Sequence, residues 1–236
     1  MKLQYLGDAR DAFKWDLFHW IRTKSTSPFS HLVYIPMLTP DGESPNEGNI
    51  HHSRFRCKKF FRPFPESLRE KPRSLDRICK LGAAEDPLHF LQFQTTIFAC
   101  KRLIKSGNNR QNYWHDFNPE KYENSIVFFD PDNGFETTTQ SGTKWIRHEE
   151  LRLRLSKLPE NSANVVYKHR PRRTWEDLFA DLNTDLKHYA HIAVAAYERD
   201  IAFVAIANNK KIGDLICKAI NAYANDHRDV RAKKII

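Results

Sequence analysis

The chain has 236 residues, 40% of them hydrophobic and 28% charged, and carries a net charge of +9. It is long enough for a sizeable core, and no run of 18 apolar residues is present to cross a bilayer. The basic excess favours a polyanionic partner, and four scattered cysteines (Cys57, Cys79, Cys100, Cys217) without a C-x-x-C pair read as reduced thiols of a cytoplasmic protein.

Asp8, Asp11, Lys14 and Asp16 near the start argue against a secretory signal. Asp8 or Asp11 can cap a helix whose stripe is Phe13, Leu17, Trp20 and Ile21, with Lys14 and His19 off that stripe. Residues 31–38 read as a buried strand, followed by a long polar loop over 39–49 that contains Asp41 and Gly42. Residues 50–80 are basic and aromatic, with ten Lys or Arg against three acids from Arg54 to Lys80. Arg54, Arg56, Lys58 and Lys59 lie among phenylalanines there. His51-His52 beside Cys57 lacks a further Cys or His at zinc-ligand spacing. The spacing predicts a short helix over 74–81, a helix within 90–104, and mostly loop over 105–124.

The next stretch organises the rest. Ile126-Val127-Phe128-Phe129 reads as a buried strand, Asp130-Pro131 stops it, and Asn133-Gly134 supplies a turn. Asp130, Asp132, Asn133 and Glu136 are thereby presented at the carboxyl edge, where open α/β sheets bind ligands. A helix is expected from Trp145 to before Pro159. Val165-Val166-Tyr167 is a short strand running into the basic cluster Lys168-His169-Arg170-Pro171-Arg172-Arg173. Thr174 caps a helix with the stripe Trp175, Leu178, Leu182 and Leu186. Residues 191–197 and 201–207 read as an antiparallel hairpin, 212–224 as a closing helix, and 226–236 as a charged, frayed tail. Strands alternating with helices imply a mostly parallel sheet, which the hairpin makes mixed.

This order of elements resembles the second half of class I S-adenosylmethionine-dependent methyltransferases. In that family the fourth strand ends in an Asp-Pro-Pro-Tyr-type motif and the last two strands form a hairpin; Asp130-Pro131-Asp132-Asn133 stands where the motif would stand. Gly7-Asp8, Asp11 and Lys14-Trp15 are similar to the segment that opens the ribosomal RNA adenine-N6 methyltransferases. The resemblance implies a three-layer Rossmann-like fold, α/β with a mostly parallel mixed sheet and a C-terminal antiparallel β-hairpin. Residues 1–225 would form one domain with an irregular insertion over 50–124. It implies S-adenosylmethionine as cofactor, near Gly7, Asp8, Lys14, Asp41 and Gly42. It also implies base-amine methylation, with Asp130, Asp132, Asn133 and Glu136 at the catalytic edge and Phe135 as the aromatic that stacks the base. The loop after the first strand has one glycine where the family carries several, and Asn133-Gly134 lacks the motif's final aromatic.

Two other readings use the same residues. Asp130, Asp132 and Glu136 could hold Mg for a nuclease or phosphodiesterase, although an EF-hand is excluded by Phe135 and Ser141 at its sixth and twelfth positions. A non-catalytic module on a degenerate methyltransferase fold would bind nucleic acid or protein. In the nucleic-acid readings Arg54, Arg56, Lys58, Lys59, Lys168, His169, Arg170, Arg172 and Arg173 contact phosphates. A catalytic Asp130 predicts that Asp130→Asn abolishes function while shifting the melting temperature by only a few degrees.

Overall fold

Residues 9–24, 27–37, 39, 93–99, 104, 109–115, 117–137, 141–170 and 173–236 are described by the computed structural model. They contain one seven-stranded sheet, most of whose strands are runs rich in β-branched and aromatic residues. The strands are β1 (His31–Ile35), β2 (Thr95–Phe98), β3 (Ser125–Phe129), β6 (Ala163–His169), β7 (Ile192–Tyr197), β8 (Ile201–Ala207) and β9 (Arg231–Lys234). Two-residue strands β4 (Gly134–Phe135) and β5 (Trp145–Ile146) form a separate parallel ribbon. In space the large sheet runs β2-β1-β3-β6-β8-β7-β9. β2, β1, β3 and β6 are parallel, whereas β8 pairs antiparallel with β6 and β7, and β9 antiparallel with β7. The expected α/β class with a mixed sheet holds.

Alternation along the strands divides the interior into two cores. Leu32, Tyr34, Ile126 and Phe128 share one core with helices α1 (Ala9–Lys24) and α5 (Lys210–Asp226). Val33, Ile35, Val127 and Phe129 share the other with α2 (Asn109–Trp114), α3 (His148–Leu155) and α4 (Trp175–Leu186). Thr174 caps α4 as its spacing predicts: its Oγ1 accepts from the Asp177 amide at 3.2 Å and donates to Asp177 Oδ2 at 2.7 Å.

Several elements differ from the sequence reading. The helix expected within 90–104 is strand β2, because Thr95-Thr96-Ile97-Phe98 offers three β-branched residues and an aromatic to a parallel partner, β1. The loop expected over 105–124 contains α2 and a 3₁₀ turn at Pro119–Lys121. Trp145 and Ile146 form β5 before α3 begins. The tail expected to fray carries β9, held at its ends by the buried side chains of Val230 and Ile235. Lys14 and His19, placed off the helical stripe by spacing, are buried, because the sheet and α5 enclose α1 on more than one side. Among the described residues no helix is long and apolar enough to cross a membrane. The short helix expected over 74–81, His51, His52, Cys57, Cys79 and Cys100 lie outside the described residues.

Candidate functional site

The chain leaves β1 to one side to form β2, then returns to the other side to form β3. The carboxyl ends of β1 and β3 therefore flank the point where the strand order reverses, the general place for a ligand in an open α/β sheet. Met37, just past β1, is buried with φ of 44°, an unusual conformation for a residue other than glycine.

Asp130 follows β3 at this edge. Its amide donates to the Ile35 carbonyl at 2.9 Å, and the residue is 3% exposed. Its Oδ2 accepts two hydrogen bonds, one from Lys14 Nζ at 2.7 Å and one from the Tyr34 hydroxyl at 2.8 Å; Oδ1 takes neither. Tyr34 and Phe128 are register partners on β1 and β3, so their rings stack on one face of the sheet at 5.5 Å. The Lys14 ammonium lies 5.1, 5.6 and 5.8 Å from the ring centroids of Trp15, Phe128 and Tyr34. An ion pair removed from water persists only when further contacts offset desolvation, and the tyrosine hydroxyl and three rings do so here. The Asp130→Asn expectation changes accordingly: the carboxylate is half of a buried pair, so the amide would remove its charge from beside Lys14 and destabilise the fold.

Asp132 Oδ2 accepts from Thr39 Oγ1 at 2.6 Å, which ties the two strand-end loops together. The Asn133 amide donates to the Lys144 carbonyl at 2.9 Å. Glu136 is turned elsewhere: its Oε1 accepts from the His148 amide at 3.0 Å, at the start of α3, where a carboxylate is favoured by the helix dipole. The three carboxylates of the nuclease reading thus share none of these partners. Among the described residues no group of three or more His, Cys, Asp or Glu is placed to hold a metal ion. Phe135 is 1% exposed and stacks on His148 at 5.7 Å, so it is not free to stack on a base.

Lys168 corrects the reading of the basic cluster. It is buried at 2% exposure and its ammonium faces the Phe135 carbonyl at 3.4 Å, so it cannot reach a phosphate at the surface. Burial lowers its pKa to about 8. Gly134 lies directly over it, with φ of +97°; a Cβ there would come within 2.3 Å of Lys168 Cδ and 2.8 Å of its Cα. The rest of the cluster described here is nearer solvent. His169 Nδ1 lies 3.1 Å from the Arg170 carbonyl. Arg170 is exposed and donates to the Arg199 carbonyl at 3.3 Å, and exposed Arg173 pairs with Asp181 at 2.5 Å. Gly7, Asp8, Asp41, Gly42, Arg54, Arg56, Lys58, Lys59 and Arg172 lie outside the described residues.

A second buried pair braces the ribbon. Arg110 Nε and Nη2 donate to the two Glu150 oxygens at 2.6 and 2.7 Å, and its other bonds reach the Gly142 and Trp145 carbonyls. Burial pushes the Glu150 carboxyl up, but the hydrogen bonds and charge of Arg110, with the Arg147 amide and Trp114 indole, outweigh it and hold it below its usual value. Spacing did not single out Arg110 or Glu150, nor Tyr34 or Thr39. No protein-family model, curated protein or solved structure matches the chain.

Proposed function

We propose that the chain is a nucleic-acid-associated methyltransferase-like protein of three-layer Rossmann-like build, methylating a base amine at the carboxyl edge between β1 and β3. The observation that carries this reading is Asp130, a buried carboxylate fixed by Lys14 and Tyr34 through one oxygen, at the point where strand order reverses. Helices packed on both faces of the sheet and the antiparallel pairing of β7 with β8 support the same resemblance. Lys14 and Tyr34 both use Asp130 Oδ2, which leaves Oδ1 as the oxygen that can accept a further hydrogen bond. An amino group of a base donates N–H to such an oxygen, which orients its lone pair and favours the charge that develops on nitrogen. S-adenosylmethionine supplies the methyl group. Its cationic sulfonium suits an edge that bears Asp130 and Asp132, with Gly7, Asp8, Asp41 and Gly42 as the further residues that would hold it.

The nuclease reading is weaker, because the Lys14 ammonium already sits 2.7 Å from Asp130 Oδ2, and Asp132 and Glu136 bond to Thr39 and His148. Thermal shift and calorimetry with S-adenosylmethionine, Mg and Mn separate the readings, since a ligand that binds only the folded state raises the melting temperature. The expected result is stabilisation by S-adenosylmethionine, followed by transfer of labelled methyl to RNA or DNA. Stabilisation by Mg or Mn alone would favour the phosphodiesterase. Nucleic-acid binding with response to none of the three would make the chain a non-catalytic module.

A further inference from the structure

Asp16 lies two residues beyond Lys14 on α1, and it turns to the end of α5. Its Oδ2 accepts the Tyr223 hydroxyl at 2.8 Å and lies 3.2 Å from His227 Nε2. His227 is the residue that caps the carboxyl end of α5, and its Nδ1 is 2.8 Å from the Tyr223 carbonyl. The imidazole stacks on the Tyr223 ring at 3.9 Å, with the Trp20 indole edge-on at 5.7 Å. Tyr223 in turn contacts Phe13, Asp16 and Trp20, which follow one ridge of α1.

Both ring nitrogens of His227 therefore face oxygens that only accept. A neutral imidazole has one N–H for these two acceptors, and only the imidazolium has two. The position at a helix carboxyl end favours that cation as well. From the packed elements, the titratable groups that face it among the described residues are Asp16 on α1, and Tyr223 and Asp226 on α5. Burial works against the charge, but the Asp16 hydrogen bond, the Tyr223 carbonyl and the charges of Asp16 and Asp226 outweigh it, so the pKa is raised above 6.5.

We infer that His227 is a positioning residue: as an imidazolium it clamps α1 to the end of α5 and so seats Lys14 against Asp130. The clamp itself stands on this geometry, and its effect on ligand binding rests on the proposed function. Because the folded value lies above the unfolded one, the clamp's contribution is complete below about pH 6.5 and is lost as pH rises through the folded value.

Hydrogen exchange of the full chain, corrected for the intrinsic pH dependence, reads this locally. From about pH 6 to about pH 9, protection of the α1 amides should fall severalfold, while β7 and β8 stay protected. In His227→Gln the α1 protection should be low and the same at both pH values, and Asp16→Asn should behave alike. An unchanged α1 in the wild type, or the same fall in His227→Gln, overturns the clamp. Should both variants fail to fold, an NMR titration of the wild-type imidazole decides: a midpoint at or below the ordinary value overturns it. Calorimetry with S-adenosylmethionine gives the second arm, with affinity expected to weaken in step with α1 protection. Affinity that ignores pH while α1 loosens shows that His227 does not position the site. No binding at either pH overturns the methyltransferase reading, and exchange alone then decides the clamp.

Discussion

Among the described residues two lysines are buried at the edges of this fold, and they are buried differently. Lys14 and Lys168 are each 2% exposed. Lys14 meets a carboxylate at 2.7 Å and is enclosed by three aromatic rings. Lys168 meets a single backbone carbonyl at 3.4 Å beneath Gly134, and burial alone accounts for its lowered pKa, about 8. A perturbed pKa in a crevice marks a functional candidate. Here the group with the lowered pKa is the one shut away under the ribbon, while Lys14 at the strand-order reversal has a carboxylate partner. Partners, more than burial, therefore separate the lysine at the proposed site from the one under the ribbon.

The largest expected effect comes from removing the compensated lysine. Lys14→Met keeps the length and loses the charge, leaving Asp130 buried with the Tyr34 hydroxyl as its remaining donor. Breaking one side of a buried pair costs about 3–5 kcal/mol, to be read as a drop in the urea midpoint at neutral pH with an unchanged slope. A cost under about 1 kcal/mol, the range of exposed pairs, would mean that water reaches Asp130 and that the two lysines differ less than the distances imply.

Lys168→Met should act in the opposite direction. The folded pKa of about 8 lies below the ordinary 10.5, so the unfolded chain binds more protons between these values. Wild-type stability therefore rises with pH across that window, and below about pH 8 the full penalty of the buried cation is present. The methionine removes the penalty. At about pH 7 the variant should be as stable as the wild type, or more stable by about 1–3 kcal/mol, and the alkaline rise should vanish. Chemical denaturation at about pH 7 and about pH 10 checks both statements. A variant less stable than wild type at both would show that the bond to the Phe135 carbonyl outweighs the desolvation.

Parity could have located Lys168 from sequence. Val166 is buried in the same core as α3 and α4, and Lys168 follows it on the same face of β6. Charge alone makes Lys168 to Arg173 a basic surface cluster, whereas strand alternation continues past Tyr167 and turns Lys168 inward. The strands with long apolar runs (β1, β3, β6, β7 and β8) were legible because nearly every side chain in them is buried. β2 and β9 were not, being four residues each and defined by partners distant in sequence, β1 and β7. At the site, Asp130 was legible as an acid ending an apolar strand, and Lys14 through the resemblance of the opening segment. Tyr34 and Thr39 carry no such signal. An aromatic within a strand and a threonine in a polar loop acquire a role only when β1 and β3 lie side by side.

The smallest expected effect uses a pair that is at least as close but wet. Arg173 Nη1 lies 2.5 Å from Asp181 Oδ2, with about half of each side chain exposed. The Asp181 hydrogen bond and charge raise the arginine's pKa, yet water solvates both partners once they separate and salt screens them. Arg173→Ala should therefore leave the urea midpoint where it is, in contrast to Lys14→Met across a comparable distance. If the proposed nucleic-acid association holds, the same variant sharpens the contrast. Losing one phosphate contact should weaken binding to RNA or DNA similarly for different sequences, and should lower the slope of log affinity against log salt by about 1. A large stability loss in Arg173→Ala would mean that proximity matters more than desolvation in this protein, which would undo the distinction drawn between its buried lysines. Unchanged stability with an unchanged salt slope would assign Arg173 to an ordinary solvated face and leave Arg170 as the nearest described arginine to test.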